Sequence, residues 1–152
     1  TGGVRFMTMV LIAIDGERGD LRMASAGHDP PFIYDPERDA FVDTKTGGLP
    51  LGILGDQEYS EDACERLPVG SVIVASTDGV WEARDEADEQ FGKDRLKEVI
   101  REHAGGTAKE IARALVDRVQ SFCGEARQLD DITFVVVKRI NETGSGVQDA
   151  ER

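Results

Sequence analysis

Apolar residues occupy both alternating positions from Arg5 to Ile14 (Arg-Phe-Met-Thr-Met-Val-Leu-Ile-Ala-Ile), a pattern that predicts a strand covered on both faces. Asp15 to Asp20 reads as a turn, and Leu21 to Ala26 as the returning strand of a hairpin. Pro30 and Pro31 end that strand, and residues 32–34 and 41–42 predict short strands around a charged turn. Gly47, Gly48, Pro50, Gly52 and Gly55 mark residues 44–56 as a loop. Residues 57–67 are polar and predict a strand at an edge or with one wet face. Pro68 and Gly70–Ser71 suit a type I turn, after which Ser71 to Ser76, centred on Val72-Ile73-Val74-Ala75, predicts a buried strand.

The period then changes. From Lys93 to Ala104 the residues Leu96, Val99, Ile100 and His103 share one helical face, and Gly105-Gly106 stop the helix. Thr107 with Glu110 three residues on has capping-box spacing for a second helix, whose inner stripe is Ile111, Leu115, Val119 and Phe122. Ile132 to Val137 is again apolar on both faces. Strands 5–14, 71–76 and 132–137 are therefore expected to form the sheet core, with both helices on one face. Several antiparallel-looking strands, a helical pair and a last strand predict an α+β fold. One domain over residues 1–139 is expected, followed by a polar, Gly-rich and disordered tail over 140–152.

Composition narrows the function classes. With 39% hydrophobic and 32% charged residues the chain has a soluble globular make-up, without an apolar run long enough to insert in a membrane or a secretory leader pattern. Thirty acidic residues against 18 basic give a formal charge of −12, which disfavours nucleic acid and anionic membrane as partners and is compatible with gathering divalent cations. Cys64 and Cys123 have no paired spacing and read as reduced thiols, so a cytoplasmic location is expected.

Three places can carry chemistry. Thr77-Asp78-Gly79 follows the buried strand 71–76, where a carboxylate is well placed as a ligand and Gly79 lets the chain turn sharply; a turn former or helix cap is the plainer reading of Asp78. Asp130-Asp131 directly precedes strand 132–137, and two adjacent acids call for a nearby cation unless both are simply solvated. If the two strands are antiparallel neighbours, Asp78 and Asp130 share one rim. The third place is Ala26-Gly27-His28-Asp29-Pro30-Pro31, where His28 could be a ligand, an acid/base group or a strand-end anchor.

Ala26-Gly27-His28-Asp29-Pro30-Pro31, Gly48-Leu49-Pro50-Leu51-Gly52, Ser76-Thr77-Asp78-Gly79-Val80-Trp81-Glu82-Ala83 and Asp130-Asp131-Ile132-Thr133 occur in this order. Together they resemble the successive motifs of the bacterial PPM-type phosphatases of the SpoIIE/RsbU kind, over roughly residues 5–139. The resemblance implies a β-sandwich flanked by helices, here without its N-terminal strands and helices. It implies a two-ion Mn²⁺ or Mg²⁺ centre that hydrolyses phosphoserine or phosphothreonine on a protein, without a covalent enzyme intermediate. Carried over by position, Asp78 and Asp130 match ligands of one metal, and Asp131 matches a supporting or additional-metal residue. Gly27 and His28 match a motif read as structural. Trp81 and Asp29 stand where the family often has Thr and Asn.

The family also has an upstream Asp-Gly pair whose Asp bridges the two ions. Nothing before residue 5 supplies it, and Asp15-Gly16 lies in a hairpin turn. The chain alone is therefore expected to be weakly active or inactive, and its complete parent to be a signalling phosphatase acting on a phosphorylated anti-sigma-factor antagonist. The alternatives are a phosphatase fold kept as a non-catalytic interaction module and a haloacid-dehalogenase-like phosphatase. In the latter the nucleophilic Asp precedes the second Asp by two residues, and position 76 is Ser.

Overall fold

The computed structural model describes residues 5–44, 47–64, 66–126 and 131–140. The chain order is β1 (Met9–Ile14), β2 (Leu21–Ala26), β3 (Phe32–Asp35), β4 (Ala40–Phe41), β5 (Glu61–Cys64), β6 (Val72–Ser76), α1 (Gly92–His103), α2 (Ala108–Cys123) and β7 (Phe134–Lys138). The strands form two antiparallel sheets, ordered β1-β2-β5 and β4-β3-β6-β7. Leu21 and Met23 of β2 meet Ile33 of β3 and Ile73 of β6 in one apolar cluster, so the sheets pack face to face. A second cluster joins Val72 and Val74 of β6 to Leu96, Val99 and Ile100 of α1 and Ile111, Leu115 and Val119 of α2. The result is three layers, sheet on sheet on helices, and the α+β class expected from the sequence holds.

β6 alternates its side chains between the two clusters, which is why its run is apolar on both faces. The other two strands with that pattern behave differently. β1 is an edge strand of the first sheet, with Met9, Leu11 and Ile14 exposed. β7 is an edge strand of the second, with Phe134 and Val136 on the helix side and Val135 60% exposed. The three strands thus do not form one sheet core. An apolar pattern reports affinity for a cover, and whether the opposite layer extends far enough is a matter of topology.

Both helices lie on the second sheet, as expected. Thr107 caps α2 in a complete capping box, its side chain accepting from Glu110 N–H while the Glu110 side chain accepts from Thr107 N–H. His103 departs from its expected inward place: it is exposed, with Nδ1 3.0 Å from the Val99 carbonyl. Lys138 at the end of β7 donates to the carbonyls of Ala104 and Gly106, tying the loop after α1 to the sheet. The turn before β6 runs Pro68–Ser71, closed by Ser71 N–H to the Pro68 carbonyl at 3.1 Å, with Gly70 third at φ +89°. That is type II geometry and not type I, because a positive φ at the third position needs Gly. The polar strand 57–67 is shorter than expected, β5, and is indeed an edge. The predicted tail from 141 onward lies outside the described residues.

Candidate active site

Strand β6 delivers Thr77 and Asp78 to one end of the sandwich. The pairing Ser76↔Phe134 continues beyond the ladder, since Thr77 N–H donates to the Thr133 carbonyl at 2.9 Å. The Thr77 hydroxyl lies 3.3 Å from the carbonyls of Asp131 and Thr133, and Thr133 N–H donates back to it at 3.3 Å. The antiparallel neighbourhood inferred from sequence is therefore present, and it brings the backbone of 131–133 against the residue before Asp78. Asp130 itself lies outside the described residues.

Asp78 opens a short 3₁₀ turn, Asp78–Val80, and its carbonyl accepts from Trp81 N–H at 3.1 Å and Glu82 N–H at 2.9 Å. The backbone is pinned while the carboxylate is exposed, without a hydrogen bond or ion pair among the described residues. Thr77 makes no side-chain cap of the turn. Gly79 is buried in the turn and is not among the glycines with positive φ, so it serves by lacking a side chain and not by a left-handed conformation.

A cleft of about 110 Å³ lies beside Asp78, lined by Thr8, Gly27, His28, Asp29, Ser76 and Thr77 as well as Asp78 itself. Sequence reading had set His28 and Asp78 in separate motifs; the fold brings them to one cleft. Ser25 holds the His28 backbone from both sides, its hydroxyl accepting from His28 N–H at 3.1 Å and donating to His28 C=O at 2.6 Å. The His28 ring is only loosely held, with Nδ1 3.4 Å from Thr8 Oγ1. Gly27 is required twice over. Its φ is +68°, and a Cβ there would meet Pro50 atoms at 2.6–2.8 Å. The Gly27 motif and the Pro50 loop are thereby packed together.

Ser76 is 7% exposed, and its hydroxyl has no partner among the described residues. Thr8 is not marked by the sequence, because an isolated hydroxyl residue in an apolar run carries no signal, and Ser76 is marked only as the residue that opens the Thr-Asp-Gly motif. Trp81 is buried too, set edge-on to Phe32 with centroids 5.8 Å apart and with Lys93 Nζ 4.4 Å above its ring. Asp131 is exposed in the segment leading into β7, three residues before the strand begins. The donors gathered here are carboxylate and hydroxyl oxygens together with the His28 imidazole, and the oxygens are the chemistry that suits Mg²⁺ or Mn²⁺. Among the described residues no three His, Cys, Asp or Glu side chains form a metal-binding group, so Asp78 is the ligand candidate that this set contributes.

The family model described as Stage II sporulation protein E (SpoIIE) matches residues 1–140. The chain belongs to the SpoIIE family. It is 33% identical to phosphoserine phosphatase RsbU of Bacillus subtilis, over 88% of this chain and 39% of that protein. This SpoIIE-family fold superposes on the SiaA-PP2C domain of Pseudomonas aeruginosa with a TM-score of 0.73 and 27% identity, covering 85% of this chain and 50% of that one. The phosphatase domain of the Bacillus subtilis cell-fate determinant SpoIIE, in a manganese-presoaked crystal, gives 0.63 and 22% identity over 91% of this chain and 59% of that one. The fold is thus that of part of a PP2C-type phosphatase domain. The chain spans well under two thirds of the length of these relatives.

Proposed function

We propose that this chain forms part of a metal-dependent protein serine/threonine phosphatase in bacterial signalling, with Asp78 and Asp130 as ligands of one divalent cation. The observation that carries the reading is the Asp78 carboxylate: fixed at the end of an interior strand, exposed, unpartnered among the described residues and beside a cleft lined by hydroxyls, Asp29 and the His28 ring. Membership of the SpoIIE family and the name of the RsbU relative support phosphoserine as the substrate group. The manganese-presoaked relative supports Mn²⁺ or Mg²⁺, two ions in the complete centre.

When bound, such ions neutralise phosphate oxygens and supply a nucleophile from water at neutral pH. The chain's own residues have narrower tasks. Thr77 locks the strand end to the backbone of residues 131–133, which fixes the strand that follows Asp131 beside the turn that carries Asp78. Asp78 and Asp130 would hold the cation and Asp131 would support Asp130, while Gly27 and His28 line the cleft and Gly79 lets the chain turn after Asp78. The family resemblance calls for one more carboxylate, from an Asp-Gly pair that residues 1–152 do not supply, and without it the chain is expected to be a poor catalyst. The substrate is a phosphorylated anti-sigma-factor antagonist in the cytoplasm.

The test is Mn²⁺-dependent release of phosphate from a phosphoserine protein by this chain and by the chain extended upstream through the Asp-Gly pair. The extended form is expected to be much faster, and in it Asp78→Ala and Asp130→Ala each remove most of the rate, Asp131→Ala less. Full activity of Asp130→Ala would show the wrong member of the acidic pair to be the ligand. Equal rates for the two lengths would refute the bridging role, and no turnover by either would favour a non-catalytic interaction module.

A further inference from the structure

Lys93, Lys97 and Arg101 recur every fourth residue on α1 and form one basic stripe in a chain of formal charge −12. Two of them are engaged. Lys93 Nζ lies 3.3 Å from Asp29 Oδ1, and Arg101 Nε lies 2.7 Å from Asp39 Oδ1. Lys97 has no carboxylate within ion-pair distance among the described residues, and its ammonium lies 5.6 Å from the Phe41 ring centroid. Beneath Lys93 and Lys97 runs a groove of about 270 Å³ with Pro30, Pro31 and Phe41 in its lining. Asp29 lines both this groove and the cleft at Asp78, so the two adjoin at that side chain.

The geometry points to this groove as the docking site for the stretch of phosphoprotein chain that flanks the phosphorylated residue, with Lys97 reading an acidic side chain there. This rests on the phosphatase reading above. An extended chain advances about 3.3 Å per residue, so a phosphoryl group at Asp78 leaves its sequence neighbours at the Asp29 end of the groove. Proline and phenylalanine surface takes an aliphatic side chain, and the unpaired ammonium on the lip takes a carboxylate. Asp43 also lines the groove, and it disfavours a second carboxylate on its own side. Lys93 is a positioning residue: through Asp29 and Trp81 it joins the groove wall to the loop that carries Asp78.

The experiment uses the complete phosphatase domain containing this chain, with Lys97→Glu and Lys97→Ala. Substrates are a phosphoserine peptide with acidic flanks, the same peptide with neutral flanks, and p-nitrophenyl phosphate. Lys97→Glu is expected to raise KM for the acidic peptide roughly fivefold at low salt, with kcat and the p-nitrophenyl phosphate rate unchanged. Lys97→Ala raises it less, and added salt shrinks both effects. An equal rise for the neutral peptide, no rise at all, or a matching loss with p-nitrophenyl phosphate would overturn the proposal. Should the domain hydrolyse none of the three, the phosphatase reading itself fails. Fluorescence anisotropy of an unphosphorylated acidic peptide then decides the groove separately: weaker binding to Lys97→Glu upholds it, and equal binding overturns it.

Discussion

Single residues tie the candidate site together through geometry that admits few replacements. Gly27 combines a positive φ with a place against Pro50 where no Cβ fits. Gly27→Ala is therefore expected to cost about 2 kcal/mol or more, from the left-handed backbone and the crowding together. Pro50→Ala removes the Cγ and Cδ contacts and leaves the backbone N in place, so a double-mutant cycle by denaturant unfolding should return only part of that loss. Complete additivity would place the cost in the backbone alone. Gly79, by contrast, owes its identity to burial in the turn after Asp78 and not to φ. At this scale the Thr-Asp-Gly and Gly-His motifs were legible, because both pair a strand end with residues that turn the chain. The unpartnered Ser76 and the Ser25 clamp on His28 were not, since a hydroxyl announces nothing until its surroundings are known.

Among the elements, α2 shows local rules acting undisturbed. Its capping box depends on Thr107 and Glu110 alone, and Thr107→Ala is expected to destabilise by about 1 kcal/mol. The Thr107 backbone N–H, more than any other group, holds the Glu110 carboxyl below its ordinary range. A folded pKa below the unfolded one makes the contribution complete above the ordinary glutamate range and loses it as pH falls through the lowered folded value. Glu110→Gln should accordingly lower stability near neutral pH and flatten the acid limb of a stability–pH profile. An unchanged acid limb would show that the carboxylate contributes nothing as an ion. The strands obey their neighbours more than themselves: β1, β6 and β7 share one apolar pattern, yet only β6 is interior to a sheet.

For the molecule as a whole, the uncovered apolar surface stands out. Phe6, Met7 and Leu11 are 64%, 58% and 63% exposed, and Met7 bridges to Leu51, beyond which Ile53 and Leu54 are exposed as well. A row of this kind along an edge strand invites pairing between chains. The 152-residue chain by itself is expected to self-associate in sedimentation velocity despite its charge, and Leu11→Lys to restore a monomer. A monomer at high concentration without that change would mean that charge repulsion outweighs the edge. What the amino-acid sequence determined by itself was whatever rests on near neighbours: the helical faces, the capping box, the hairpin β1–β2, and the carboxylate at the end of β6. Period, cap chemistry and turn residues act within a few positions, so they can be read without the fold. Only the tertiary structure decided which apolar strands became edges, that His28 and Asp78 line one cleft, and that Lys97 overlooks a groove adjoining it at Asp29. Those depend on which distant segments the sheet order places side by side, and pairing across some 38 to 66 residues, as β3 with β6 and β6 with β7, leaves no periodic mark in the chain.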